Sequence, residues 1–416
     1  MSRETVCVHG LGHVGLSTAT VLAHSDCDVY GYDTDESVVR ELKHRTLAPE
    51  ETGLEQLAIE ALEEGTLTPT SECRPADYHL LCVPTPVTDG DADLSAVTAT
   101  AETAAVNLRS GDVVIVEATV PPGTTVERIQ PLLEAKCQVE FGLVYSPETV
   151  LPGKILTELK ENDRLVGGID PISTKAGVEL YETFIEGRLH RTDATTAEFT
   201  KLAQNTYRDV NIALANEFAK LAREHDVDPR QVVELGNTHP RVDIHQPGPG
   251  PGGHCIPVDP WFLCEGTGRE TLIEHARRLN DRMVSYVCEL VDERLKGLTD
   301  RRIAVLGAAY KGNVTDARNS PGLRLADELR DRLDATVRIY DPHVREPKVG
   351  RTIENGSVPE FAAGSDAVVI TTDHDEYREL RPWPFRDDMR TRVAIDTKDV
   401  LNPSAWRDAG FEVIRI

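Results

Sequence analysis

The 416-residue chain has no CxxC pair among its eight cysteines, which stand at 7, 27, 73, 82, 137, 255, 264 and 288. That absence argues against a zinc ribbon, a dithiol redox couple or a secreted disulfide framework, and most of these residues are expected to be buried thiols. No apolar run approaches the ~18 residues that a membrane span needs. The start of the chain passes within a few residues of Met1 into the strand-like Val6-Cys7-Val8, which leaves no room for a signal peptide. The expectation is a cytoplasmic protein without a membrane partner. Lysine is scarce, eleven among 45 basic residues, and the 70 acidic residues give a net charge of -25. Such a surface repels a phosphate backbone, so no nucleic-acid partner is expected, and an anionic ligand requires a local basic pocket. The acids are scattered through segments such as ETGLEQLAIEALEEG and DGDAD and form no single tail. That pattern suits a high-salt cytoplasm, where screening weakens self-repulsion; an ordinary acidic surface is the plainer alternative.

A chain that is 40% hydrophobic and 28% charged has apolar mass for two or three globular domains. To about residue 190, short β-branched segments (VCVHG, DVYGYD, YHLLCVP, DVVIVEAT, FGLVYSP) alternate with helical stretches, as in βαβ units on a parallel sheet. A second alternation begins at Arg302 with RIAVLGAAY and continues through TVRIYDPH, DAVVITTD and RVAIDTKD. Between them one long helix is predicted from Thr195 to about Glu224, opened by a Thr195–Glu198 capping box, and a second from about Glu270 to Lys296. The predicted fold is α/β, two doubly wound Rossmann-like domains (1–190 and 298–416) joined by a helical connector (191–297).

Gly10-x-Gly12-x-x-Gly15, with His13 and Val14 inside the motif, closes the first strand and opens a helix, where a pyrophosphate can approach the backbone at the helix's amino end. Asp33 ends the second strand eighteen residues after Gly15, close to the ~20 expected of the acid that binds a ribose 2′-hydroxyl. An acid there disfavours a 2′-phosphate, so the cofactor is read as NAD. The second alternation lacks this pattern. Its first strand ends in Gly307, and its Lys311, Arg318 and Lys398 offer the local positive charge that a nucleotide diphosphate requires.

The connector contains PGPGPGGHCIPVDPWF, in which Cys255 follows a Gly-Gly pair and precedes Asp259 by four residues. Glycines there are expected to let a substrate approach the thiol. A metal site of His254, Cys255 and Asp259 is the rival reading, but adjacent His-Cys does not match the spacing of recurrent zinc sites. On the long helix Lys201 and Asn205 share a face. Leu202, Ile212, Leu214, Phe218 and Leu221 are expected to supply most of its packing surface. With Tyr207 and Asn211 nearby, the polar pair reads equally as a solvated stripe or as the lining of a cleft.

In order along the chain, GLGHVG, CVPTPV, EATVPPGTT, SPETVLPG, EFTKLAQNTYRDVNIALANE, GPGGHCIPVD and LGAAYKGNVTDARNSPG resemble the UDP-glucose/GDP-mannose dehydrogenase family. The resemblance implies a four-electron oxidation, in which the 6-hydroxyl of a UDP-sugar becomes a carboxylate with two NAD and one water. It implies that Cys255 carries the sugar as a thiohemiacetal and then a thioester, and that Lys201 and Asn205 stabilise negative charge on oxygen. It further implies that Asp259 assists proton transfer, that Glu148 and Thr119 flank the hydrolytic water, and that Arg241 binds substrate across a dimer interface. Pro84, Thr85, Thr119 and Arg318 join the implied cofactor contacts; Glu148, Lys201, Asn205, Gly252, Lys311 and Lys398 join the implied substrate contacts. Within the family, VLPGKILTELKENDRLVGG, NTHPRV and GGHCIPVDPWF resemble members that oxidise UDP-N-acetyl-D-mannosamine, although Thr149 stands where those carry arginine. UDP-N-acetylglucosamine and UDP-glucose are the alternatives. A non-catalytic NAD or nucleotide-sugar sensor would have no need of Cys255, Lys201 and Asp259, and a single-step dehydrogenase or epimerase has no use for a covalent thiol.

Overall fold

The computed structural model describes residues 3–46, 51, 53–88, 91–266, 270–345, 352–354 and 356–416; Asp89 and Gly90 of DGDAD lie outside the described residues. Its contacts divide the chain into two compact units, residues 1–204 with 261–266 and residues 205–260 with 267–416.

The strands of the first unit are β1 (Glu4–His9), β2 (Cys27–Tyr32), β3 (Leu67–Thr70), β4 (Tyr78–Leu81), the short β5 (Val87–Thr88) and β6 (Asp91–Ala92), β7 (Val113–Val116), β8 (Gly142–Tyr145), β9 (Arg164–Gly168) and β10 (Leu189–Asp193). Eight of them form one sheet in the order β10-β9-β8-β7-β4-β1-β2-β3. Every pairing in it is parallel except β8 with β9. Alternate residues feed two cores: Val6, Val8, Leu80 and Ile115 on one face, Leu81, Val114, Val116 and Leu143 on the other. Burial on both faces is why these strands read as nearly continuous apolar runs. The strand order reverses between β1 and β4, so the carboxyl ends of these two strands flank a crevice suited to a ligand.

In the second unit β11 (Arg302–Leu306), β12 (Thr336–Tyr340), β13 (Ala367–Ile370), β14 (Val393–Asp396) and β15 (Glu412–Arg415) form a parallel sheet ordered β12-β11-β13-β14-β15, a second doubly wound sheet. Helices Pro229–Gly236 and Leu272–Arg294 accompany it, with the carboxyl part of the 31-residue helix Ala194–Glu224.

The strands read from sequence are present, while β3, the short β5 and β6, β9, β10 and β15 went unread. β3 is LTPT, whose proline is tolerated because the strand lies at the sheet edge. The helix predicted over Glu270–Lys296 runs from Leu272 to Arg294, capped by Thr271 in a capping box with Glu274. The expected packing face of the long helix is corrected: Leu214 and Leu221 are 47% and 43% exposed, and the buried row is Leu202, Ala213, Ala215, Ala219 and Ala222. Small side chains let neighbouring backbone come close, which a leucine row would prevent. Four cysteines (7, 27, 264, 288) are buried and four (73, 82, 137, 255) are half-buried, fewer buried than expected.

Candidate active-site residues

The glycine turn in the first unit is shaped for close backbone approach. Gly10 has φ +91°, its N–H donates to Tyr32 O at 2.8 Å, and a Cβ on it would lie 2.7 Å from Cys82 O. A Cβ on Gly15 would fall 1.9 Å from Gly10 O, so helix His13–Ala23 can start here only without one. A Cβ on Gly12 would meet nothing within 4 Å. Gly12 is therefore bare toward open space, at the helix's amino end, with His13 exposed and Val14 half-buried beside it. Asp33 accepts from Leu11 N at 2.8 Å through Oδ2 and from Asp35 N at 2.9 Å through Oδ1, which fixes its carboxylate against the turn. Pro84 is exposed after β4, and Thr85 Oγ1 donates to Thr119 O at 2.6 Å, joining the loops after β4 and β7. These features fit a dinucleotide with an unphosphorylated ribose.

The same unit holds Glu148 and Lys201. Lys201 is only 5% exposed; its Nζ donates to Glu148 O at 2.6 Å and lies 3.5 Å from Glu148 Oε1. Glu148 Oε2 accepts from Val150 N at 2.7 Å. Behind them is a buried ion pair that sequence reasoning missed. Arg164 bonds Glu117 of EATV, and its Nε and Nη2 reach Ser146 Oγ (3.0 Å) and Ser146 O (3.1 Å) of SPET. Tyr181 adds an O–H bond to Glu117 at 2.6 Å. One guanidinium thus ties the strand ends that lead to Thr119 and Glu148.

The predicted Thr195–Glu198 capping box is corrected. Asp193 caps the helix, accepting from Thr196 N and Oγ1 at 2.9 and 2.7 Å. Glu198 is fully buried and instead accepts from Gly123 N (2.6 Å), Thr125 N (2.8 Å) and Thr125 Oγ1 (2.6 Å). It holds the VPPGTT loop, and burial pushes its carboxyl up to about 7. The spacing of a capping box arises by coincidence when a buried acid stands in the helix's first turn.

In the second unit Asn205 Nδ2 donates to Asp259 Oδ2 at 2.6 Å, and Asp259 is 3% exposed at the start of helix Asp259–Cys264. Cys255 O accepts from Val258 N (3.0 Å) and Asp259 N (2.9 Å), a turn that brings the half-buried cysteine to the start of that helix. The Gly-Gly pair is required by the protein's own packing. A Cβ on Gly252 would lie 2.7 Å from Tyr310 Cβ and 2.8 Å from Asn319 O, and one on Gly253 (φ +84°) would lie 3.0 Å from the Tyr310 ring. Gly253 N donates to Arg318 O at 2.9 Å and Asn319 Nδ2 to Gly253 O at 2.8 Å. The preceding Pro/Gly run is pinned as well. Gly248 N donates to Asn216 Oδ1 (2.8 Å), Asn216 to Asn280 (2.9 Å), and Asn280 to Asp209 (2.8 Å), whose carboxylate also pairs with buried Arg277. Burial pushes Asp209 up to about 6 despite Arg277. None of these polar core residues has a local sequence signal, because their partners are distant in the chain.

Lys398 lies with Arg230, Arg378, Asp373 and Asp399 around a cleft of about 340 Å³ beside Gly248 and Gly250. Burial lowers the Lys398 ammonium and the Arg230 guanidinium. Arg230, unread in the sequence, donates to Gln246 Oε1, Pro247 O and Thr397 O at 2.8–3.0 Å. Lys311 and Gly252 are not among that cleft's lining, and Arg241 is exposed on the loop after helix Pro229–Gly236. Arg318, predicted as a cofactor contact, is held by Asp316 through Nε (3.0 Å) and Nη2 (2.7 Å).

A Rossmann turn with an acid at the end of its second strand, a second doubly wound sheet with a basic cleft, and a cysteine beside Asn205 and the buried Asp259 fit a nicotinamide-dependent dehydrogenase of nucleotide-linked substrates. Models of the UDP-glucose/GDP-mannose dehydrogenase family match residues 4–185 (NAD binding domain), 195–282 (central domain) and 304–403 (UDP binding domain). The chain is 42% identical to a UDP-N-acetyl-D-mannosamine dehydrogenase of Methanococcus maripaludis, over 99% of this chain and 96% of that protein. The solved UDP-D-ManNAc dehydrogenase of Pyrococcus horikoshii superposes with TM-score 0.92 at 38% identity, covering 99% of both chains. The UDP-N-acetyl-mannosamine dehydrogenase Cap5O of Staphylococcus aureus does so with TM-score 0.88 at 35%, covering 99% of this chain and 98% of that one. The chain belongs to the UDP-glucose/GDP-mannose dehydrogenase family and is an NAD-dependent UDP-sugar dehydrogenase.

Proposed function

We propose that the sugar is UDP-N-acetyl-D-mannosamine, oxidised at its 6-hydroxyl to the uronate, with Cys255 as the covalent residue. The substrate reading is supported by full-length similarity to enzymes named for that sugar. The mechanistic reading rests on one observation: a single helix carries Lys201 and Asn205 one turn apart, each bonded to an acid that the family resemblance assigns to the chemistry. Bound NAD supplies the hydride acceptor, twice per sugar, at Gly10, Gly12, His13, Val14, Gly15 and Asp33, with Pro84, Thr85, Thr119 and Arg318 as further contacts. The Cys255 thiolate adds to the aldehyde carbon and holds it as a thiohemiacetal, then as a thioester, until water breaks the C–S bond and returns the thiol. The Lys201 ammonium and the Asn205 amide donate to the sugar oxygen as negative charge builds on it. Asp259 takes and returns the proton at that oxygen, and Glu148 and Thr119 hold the water. Lys311, Lys398, Gly252 and Arg241 contact the UDP-sugar.

The proposal includes an NAD domain over 1–190, a helical domain over 191–297 and a UDP-sugar domain over 298–416. A homodimer is supported by Tyr207, Leu214 and Leu221, which recur every seven residues on the long helix and are 57%, 47% and 43% exposed. A high-salt cytoplasm is supported by the net charge of -25, whose self-repulsion molar salt screens to a length of ~3 Å. The test is a panel of UDP-sugars followed by NADH absorbance in molar KCl. UDP-N-acetyl-D-mannosamine should give two NADH per sugar and the highest kcat/KM. Preference for UDP-glucose overturns the substrate, one NADH per sugar overturns the covalent route, and a melting temperature highest in dilute buffer overturns the salt adaptation.

A further inference from the structure

Two cysteines and two histidines meet on one face of the first sheet, away from the residues assigned above to chemistry. Cys7 and His9 are two apart on β1 and so project to the same side. Cys7 is the register partner of His79 on β4, and Cys73 comes from the connection between β3 and β4. Cys7, His9 and His79 are 0% exposed and Cys73 is half-buried. One donor atom from each of the four lies within 4.8 Å of every other. His9 Nε2 is 3.0 Å from His79 Nδ1, and Cys73 Sγ is 4.0 Å from His9 Nε2. The other ring nitrogens, His9 Nδ1 and His79 Nε2, have no hydrogen-bond partner among the described residues, so no hydrogen bond orients these rings from that side. What gathers them acts on the inward atoms.

A tetrahedral ion with metal–nitrogen bonds of about 2.0–2.1 Å and metal–sulfur bonds of about 2.3 Å sets its ligands about 3.3 Å apart for N–N and about 3.6 Å for N–S. The two measured separations lie within about half an ångström of these values, on either side, and all four donor atoms lie within 4.8 Å of one another. We propose that Cys7, His9, Cys73 and His79 bind one zinc ion in a closed Cys2His2 site. Binding releases the two thiol protons to solvent, and the two thiolates neutralise the dication, so no net charge enters the sheet's buried face. Two thiolates and two imidazoles with no open position make a structural set and not a catalytic one. The ion would clamp β1, β4 and the connection before β4. Because β1 runs from His9 straight into Gly10, the clamp stands directly behind the dinucleotide turn. The signal in the sequence is easily passed over, since Cys7 and His9 alternate within one strand, Cys73 and His79 follow more than sixty residues later, and no CxxC announces them.

The test uses untagged full-length protein, dialysed against metal-free buffer in molar KCl. Elemental analysis should find one zinc per chain. Exchange for cobalt(II) should produce the visible d–d bands of a tetrahedral ion with thiolate-to-cobalt charge transfer. Cys73→Ser should lose the metal and that charge-transfer band, whereas Cys255→Ser, altered in the other unit, should keep both. Chelation of the wild type should lower its melting temperature. Folded protein that holds no zinc and gives no cobalt–thiolate bands overturns the proposal, as does zinc retained by a Cys7→Ser/Cys73→Ser variant. Peptide mapping without reductant that finds Cys7 joined to Cys73 overturns it as well. Should the serine variants fail to fold, the cobalt spectrum of the wild type decides alone.

Discussion

Glu198 permits a prediction whose sign follows from the structure. Its carboxyl is raised from 4.5 to about 7, chiefly by burial, against the three hydrogen bonds it accepts from Thr125 and Gly123. Below pH 4.5 the folded and unfolded states are both protonated, and the group contributes nothing to pH dependence. Between there and 7 the folded state keeps a proton that the unfolded state has lost, so this group's effect is to lower stability as pH rises. Above 7 the penalty is complete. At roughly 1.4 kcal/mol per unit, the shift amounts to about 3 kcal/mol. Glu198→Gln removes the titration while keeping the shape, so subtracting its curve from the wild type's cancels Asp209 and every other titrating group. Urea unfolding at fixed molar KCl, followed by circular dichroism at several values from pH 4.5 to 8.5, measures the difference. The stability of the variant relative to wild type should rise by about 3 kcal/mol across that range. The gain starts from a deficit, since the amide must set an N–H against either Gly123 N or the Thr125 donors, at a cost of about 1–3 kcal/mol. A flat difference would show that the three donors balance burial, and one that falls with pH that they outweigh it; either result refutes the raised carboxyl.

Cys255→Ala should still bind NAD and the UDP-sugar, by calorimetry, while uronate formation falls by several orders of magnitude; near-normal turnover would make the thiol structural only. Asp33→Ala should narrow the preference for NAD over NADP in kcat/KM, and a wild type that uses both equally would refute the role of that carboxylate. Arg164→Ala strands Glu117, whose side chain is 1% exposed, and should cost about 3–5 kcal/mol in unfolding experiments. The double variant Arg164→Met/Glu117→Leu should recover most of that loss; if it does not, packing and not the unpaired charge is responsible.

Patterns that repeat at short range were legible in the sequence alone. The β-branched runs of β1, β2, β4, β7 and β8, the glycine spacing with Asp33, and the Lys201–Asn205 interval all place residues by the periodicity of one strand or one helix. So did the two alternations that make two doubly wound sheets, and the ordered motifs that carry the family resemblance. Tertiary structure decided whatever depends on a partner far along the chain. It turned Glu198 from a helix cap into the anchor of a loop some 73 residues away in sequence, and it buried alanines where leucines were expected. It packed the Gly252–Gly253 pair against Tyr310 and Asn319, some 60 residues further along the chain. Arg164, Arg230, Asn216 and Asn280 are invisible in sequence because a buried polar residue is defined by the groups that satisfy it. Cys7, His9, Cys73 and His79 meet only because β1 and β4, some 70 residues apart, pair in one register. Local sequence determines secondary structure through steric and hydrophobic periodicity, whereas the satisfaction of buried charge and hydrogen bonds is settled only when the sheets close.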